Sequence, residues 1–402
     1  MLCIVKFFAV MLRRIGRALF LVTAAGLALV VGLSIALAVD RRSDVELPPP
    51  TGPFTVGRVI YDWRDTSHEV LAWVWYPADS AGPPDDYMPA EMRAHQTPPV
   101  APIRWVARDR SKVKAHSMAD ARMPPDGGPY PVAILRGGGS TSASSYTSLA
   151  EDLASHGYVV MGVDVPTLTN EVIFPDGRVS RRRPENDLEE YSDDERPNMA
   201  GRLLTIWTSH MSFALDRLAA LNASDPSGRF TGRLDLTRVG AFGHSFGGAQ
   251  SAQFCHDDAR CVAAIDIDGM LFGSVITEGM PKPFMFLMEG RARTTTPDSE
   301  VRALLTDMRS LYDHLPSETR LSLSIAGANH FMFSDDGSAV WSRVLLRGLQ
   351  LTRILKLDGR RQVAITRYTA RGFFDAYLKQ KSTGRLNLLS AQYPELEVLD
   401  LP

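Results

Sequence analysis

The segment 238–254 limits the fold more than any other part of the chain. A short apolar run, 238–242, passes directly into Gly243-His244-Ser245-Phe246-Gly247-Gly248 and then into small residues as far as Phe254. The run reads as a buried strand, and the small residues after it as the start of a helix. Glycines stand two before and two after Ser245, as a sharp turn requires where the chain doubles back and a Cβ would clash. A strand that enters a helix through so tight a turn points to a parallel sheet with helices packed on its faces.

The rest of the chain repeats this rhythm. Strands are expected at 55–60, 70–76, 131–135, 158–165, 262–267 and 283–288, with 321–325 as the last. Helices are expected at 142–156 and 363–379, and at 203–221, where Leu204, Trp207, Met211, Leu215 and Leu218 share one face. The fold class is therefore α/β, a mostly parallel sheet covered on both sides. The stretch 78–128 is rich in Pro, Asp and Met without periodicity and reads as a long excursion at an entrance rim. The run 181–197 is dense in charge and reads as a solvated loop, with a lid beside the site as the alternative.

The N-terminal part has a different character. Arg13, Arg14 and Arg17 precede an uncharged run, 18–39, which Asp40, Arg41 and Arg42 end. The run is long enough to cross a bilayer core of ~30 Å as a helix. Ala36-Leu37-Ala38 is also a signal-cleavage pattern. Either reading puts the remaining chain outside the cytoplasm, because the basic cluster stays inside. The expected organisation is 1–42 as signal or membrane anchor, 43–53 as an extended linker through Pro48-Pro49-Pro50, and 54–402 as one catalytic domain. A formal net charge of −2 gives no basic surface for nucleic acid. Of the 3 cysteines, Cys255 and Cys261 are either a disulfide or two buried thiols, and their spacing suits no structural zinc site.

Gly243-His244-Ser245-Phe246-Gly247 fits the G-x-S-x-G turn that lifts a serine hydroxyl above an α/β-hydrolase sheet. A serine needs a base, and the histidines that follow are His256, His314 and His330. His256 is too close to the turn, and His314 lies in a polar helical stretch. His330 directly follows the last expected strand, in Ala326-Gly327-Ala328-Asn329-His330, where this architecture gathers its active-site groups. His244 reads as a packing or hydrogen-bonding residue of the turn. Asp266, Asp268 and Glu289 all end strands beyond the turn, and each qualifies as the acid. An oxyanion needs preorganised N–H donors. Phe246 is placed to give one, and Arg136-Gly137-Gly138-Gly139 the other, at Gly138 or Gly139. No GK[ST] follows these glycines, which argues against a nucleotide site.

Leu153-Ala154-Ser155-His156-Gly157-Tyr158, Gly243 to Ala249, Ile267-Asp268-Gly269 and Gly327-Ala328-Asn329-His330 together make residues 54–333 resemble the platelet-activating-factor acetylhydrolase family, plasma and bacterial type, within the dienelactone-hydrolase-like α/β-hydrolases. The resemblance implies a calcium-independent esterase for short acyl groups and assigns the acid to Asp268. One departure is that the family's His-Gly after the third strand is Arg136-Gly137 here. The expected chemistry is acyl transfer to water by Ser245, His330 and Asp268, with Phe246 and Gly138 holding the oxyanion and no metal or organic cofactor. Phe331, Met332, Phe333, Met270 and Leu271 are either an acyl pocket or core. The expected substrate is a small ester or lipid. Rival readings are a lipase, polyester hydrolase, amidase or acyltransferase, or a non-catalytic membrane-tethered binding module. Fractionation checks the leader: an anchored chain stays with membranes through a salt wash and leaves with detergent, whereas cleavage yields a soluble form beginning at Val39.

Overall fold

The computed structural model describes residues 2–79, 82–97, 103–192, 194–293, 298–381 and 386–401. Alternating side chains along each strand build two apolar layers, one on either side of a 10-stranded sheet. In β1 (Thr55–Arg64) and β2 (Glu69–Ala78), an antiparallel hairpin, Val70, Ala72, Val74 and Tyr76 face one layer while Leu71, Trp73 and Trp75 face the other. The strands that follow are β3 (Tyr130–Arg136), β4 (Val159–Asp164), β5 (Leu234–His244), β6 (Cys261–Ile267), β7 (Phe284–Glu289), β8 (Arg320–Ile325) and β9 (Leu396–Val398). Across the sheet the order is β9-β8-β7-β6-β5-β3-β4-β2-β1, with Met118–Ala119 extending the β1 edge. Pairing is parallel from β4 through β3, β5, β6 and β7 to β8, and antiparallel at β2–β4 and β8–β9.

Helix α1 (Leu2–Arg42) stands clear of the sheet. Helices α2 (Thr147–Ser155) and α7 (Gly359–Tyr377) cover one face through Leu149, Leu153, Phe373 and Phe374. Helices α3 (Arg196–Ala223), α4 (Phe246–Asp257) and α5 (Ser299–Asp313) cover the other through Leu204, Trp207, Met211, Phe254 and Met308. A shorter helix, α6 (Arg343–Leu351), precedes α7.

Several expectations need correcting. Strand β8 is not the last. Leu396–Val398 pairs with it, because Leu396 closes the apolar layer at an edge that would otherwise be bare. Helix α3 starts at Arg196, earlier than expected, since Pro197 suits a helix's first turn. Residues 43–53 are not a loose tether. Val45–Glu46 pairs with Val113–Lys114, and Val45 and Leu47 are buried with Tyr87, Ala115 and Val340. Arg367 then ties down the Pro48 and Pro49 carbonyls at 2.8 and 3.0 Å. Cys255 at the end of α4 and Cys261 at the start of β6 form a disulfide.

Phe242, in the strand that leads to Ser245, is fully buried and meets the Phe374 ring edge to face at 5.5 Å. Phe242→Ala leaves a cavity beneath the turn, and denaturant unfolding is expected to show a loss of about 3–5 kcal/mol.

Candidate active site

The parallel registers bring the candidate residues to one edge of the sheet. Gly243 of β5 lies between Arg136 of β3 and Asp266 of β6, and Glu289 of β7 lies beside Ile325 of β8. Each strand then runs out into a loop above the same edge, β3 after Arg136, β5 after His244, β6 after Ile267 and β7 after Glu289. Ser245 is held at φ 55° and ψ −129°, between β5 and the first turn of α4. A side chain at Gly243 would overlap the Gly247 carbonyl, so the bend is open only to glycine there. The Ser245 N–H donates to the Ile267 carbonyl at 2.8 Å, and Asp268 comes next, itself at φ 55°.

The acids left open by the sequence have distinct positions. Asp268 Oδ2 lies 2.7 Å from His330 Nδ1, and its Oδ1 accepts the Glu289 N–H at 2.8 Å. This carboxylate is almost closed to solvent, and the imidazole and the amide supply the partners its burial demands. Glu289 reaches the histidine by a different route: its Oε2 accepts the His330 backbone N–H at 3.1 Å. Asp266 touches neither and accepts the Gly269 N–H at 2.9 Å. Burial, and then the charge of Asp268, push its carboxyl well above the usual range. From the other side Gln362 of α7 clamps the Asn329 backbone, donating to its carbonyl at 2.9 Å and accepting its N–H at 3.0 Å. No motif marks Gln362 in the sequence, since it is a buried glutamine on an amphipathic helix.

His244 is a buried packing residue whose ring lies 4.5 Å from that of His330. Its Nδ1 is 2.8 Å from Tyr146 Oη. Burial, then the His330 charge, depress it well below the usual imidazole range and keep it neutral. His256 pairs with Asp257 and Glu278, and His314 hydrogen-bonds the Ser310 carbonyl, so neither joins the site.

The Phe246 N–H opens α4, and no partner for it is found among the described residues. Gly138 lies against the serine: a Cβ there would stand 2.6 Å from His244 Nδ1 and 3.1 Å from Ser245 Cβ. Its N–H, expected to face the oxyanion, donates instead to Tyr146 Oη at 3.0 Å. The short turn Ala143–Tyr146 carries that hydroxyl under the glycine run, where it bridges Gly138 and His244. The Gly139 N–H, by contrast, has no partner among the described residues. Arg136 takes no part in the cleft. It is fully buried with its guanidinium 3.7 Å over the Trp207 ring, its Nε donates to Gln250 at 2.7 Å, and burial lowers it to about 10.

Ser245, Phe246, Asp268 and His330 line one cleft of about 880 Å³. Ser245 Oγ has no hydrogen-bond partner among the described residues. Met270 and Phe331 line the cleft, while Leu271, Met332 and Phe333 belong to the core. The charged run is more than a solvated loop. Arg182, which pairs with Asp187, and Asn186, Leu188 and Glu189 form one wall. Asp193 of that run lies outside the described residues. The excursion 78–128 contributes no described residue to the cleft, and its residues 80–81 and 98–102 lie outside the described set.

Such a sheet, a strained serine at its carboxyl edge and an imidazole–carboxylate pair in the same cleft define a carboxylic-ester hydrolase of the α/β-hydrolase fold. Residues 219–384, which include Ser245, Asp268 and His330, match the family model described as platelet-activating factor acetylhydrolase, isoform II. A probable 1-alkyl-2-acetylglycerophosphocholine esterase of Arthroderma benhamiae is 24% identical over 398 residues, 91% of this chain and 96% of that one. The platelet-activating factor acetylhydrolase of Cavia porcellus is 22% identical over 267 residues, 62% of this chain and 58% of that one. A ferulic acid esterase from Streptomyces cinnamoneus has the same fold, with a TM-score of 0.70 at 24% identity over 89% of this chain and 100% of that one.

The contacts rank the acids. Asp268→Asn is expected to lower kcat by roughly three to four orders of magnitude, by leaving His330 in the wrong tautomer, without lowering the melting temperature. Glu289→Gln keeps an oxygen for the His330 N–H and is expected to cost less than about tenfold. Steady-state kinetics on folded variants measures both.

Proposed function

We propose that the protein hydrolyses short-acyl esters of phospholipid-like molecules by a serine acyl-enzyme route. Ser245 attacks the ester carbonyl as His330 takes its proton. The same imidazole returns that proton to the leaving alcohol, and water then repeats the sequence to release the acid. Asp268 holds the His330 ring and stabilises its cationic form. The Phe246 N–H and the Gly138–Gly139 turn, where the Gly139 N–H has no partner among the described residues, receive the oxyanion. The observation that carries this reading is the 2.7 Å contact between His330 Nδ1 and Asp268 Oδ2 in the cleft that Ser245 lines. The substrate class is supported by the names of the two acetylhydrolase-like relatives. A binding module has no need of a buried carboxylate paired to an imidazole beside a strained serine.

We also infer that α1 holds the enzyme at a membrane, with the catalytic domain on the extracytoplasmic side. Its segment Met11–Arg42 has a mean hydropathy of 2.4 over its most apolar window, none of it buried.

A fluorophosphonate probe is expected to label the wild type and not Ser245→Ala, and that variant is expected to lose at least about three orders of magnitude in ester turnover. Across p-nitrophenyl esters the rate is expected to be greatest at acetate to butyrate, and sn-2-acetyl phospholipid to be cleaved faster than its long-chain counterpart. Labelling of folded Ser245→Ala would overturn the nucleophile. A preference for long chains would overturn the substrate class alone.

A further inference from the structure

Arg136 takes no part in the acyl-transfer steps, yet its burial is costly. It ends β3 beside Gly243 and is closed to solvent. Its Nε donates to Gln250 Oε1 at 2.7 Å, while Nη1 and Nη2 have no partner among the described residues. No carboxylate among those residues pairs with it, and Asp164 attracts it only from a distance. A cation placed so needs compensation. The Trp207 ring supplies it, with its centroid 3.7 Å from the guanidinium carbon.

Trp207 itself lines the cleft, although it is only 2% exposed. Leu203, one turn earlier on α3, lines it too, as do Leu168, Phe246 and Phe272. Phe246 and Phe272 meet edge to face at 5.6 Å. Sheet order gives this apolar part of the cleft a direction. Asp268 and His330 follow β6 and β8, on one side of Ser245, whereas Arg136 ends β3, on the other. Helix α3 packs over β2, β4 and β5, which is the β3 side. His330 must meet the leaving oxygen to return its proton, so the alcohol lies toward β6 and β8. The acyl group then extends the other way, toward the Trp207 ring.

We propose that Trp207 ends the acyl subsite and sets the longest chain the enzyme accepts, and that Arg136 is the positioning residue that holds the indole there. The proposal rests on the short-acyl reading of the cleft. An indole that packs only against aliphatic neighbours is free to turn about its two side-chain bonds and let a longer chain pass. One stacked on a buried guanidinium cannot turn without stripping the cation of its close compensation. The stack therefore makes a rigid stop out of a soft apolar wall. This gives the charge a use at a place where stability alone favours an apolar side chain. Each methylene left without apolar room beyond the stop forgoes about fourfold in kcat/KM.

The test measures kcat/KM for p-nitrophenyl acetate, butyrate, hexanoate and octanoate with the full chain and its variants, each shown to be folded by a cooperative melting transition. The readout is the octanoate-to-acetate ratio. Trp207→Ala is expected to raise it by about tenfold or more, chiefly through a lower KM for the longer esters. Trp207→Phe, with a smaller ring, is expected to raise it less, and it carries the test if the alanine variant does not fold. Arg136→Met, which fills the space without the charge, is expected to raise the ratio roughly threefold. Arg136→Lys, which returns a cation to the ring, is expected to bring it part of the way back. A wild-type ratio in every folded Trp207 variant overturns the acyl stop. A raised ratio in the Trp207 variants beside a wild-type ratio in Arg136→Met, or no recovery in Arg136→Lys, overturns the positioning role of Arg136. A wild type that already prefers octanoate overturns the short-acyl reading, and the stop falls with it.

Discussion

The hydrogen bond from the Ser245 N–H to the Ile267 carbonyl ties the rest of the site together. It locks the strained serine to β6 at the residue before Asp268, so Ser245 and Asp268 are placed by one contact between adjacent strands. The Asp268 N–H continues the line to the Leu287 carbonyl at 3.0 Å, and the Glu289 N–H returns to Asp268 Oδ1. Three neighbouring strand ends are thus laced together, and His330 is held by their outermost carboxylates. A positive φ at both Ser245 and Asp268 is strain that an isolated loop would relieve. Here the parallel ladder beneath them does not permit it.

The buried polar groups under the cleft follow a common rule. Loss of water and a like charge above push the Asp266 carboxyl well above its ordinary range and the His244 imidazole well below its own. Arg136 keeps its charge against the Trp207 ring.

Much of this was legible in the sequence because it is local. The strand–glycine–serine–glycine–helix segment announces its own turn, and each apolar strand announces itself by its run. His330 was marked by its place after an apolar run. What was not legible is long-range. Asp266, Asp268 and Glu289 look alike as acids at strand ends, and only the sheet register separates the one against the imidazole ring from the one against its backbone and the one beneath. Tyr146 lies outside any motif, so its claim on the Gly138 N–H was invisible, as was the clamp of Gln362 on Asn329. The charged run looked like solvent-facing loop because composition says nothing about what lies behind it, and the cleft wall it forms depends on a fold it does not encode. Strand β9 is too short for any periodicity to show.

That short strand bears on how the molecule matures. The Ala326 N–H, at the base of the His330 loop, donates to the Glu395 carbonyl at 2.7 Å, and Leu396–Val398 covers the free side of β8. A ribosome delivers these residues after the serine turn, the three acids and the histidine have been synthesised. Until they arrive, β8 is an open edge able to pair with other strands. The His330 loop thus gains its last support only when the sheet is closed.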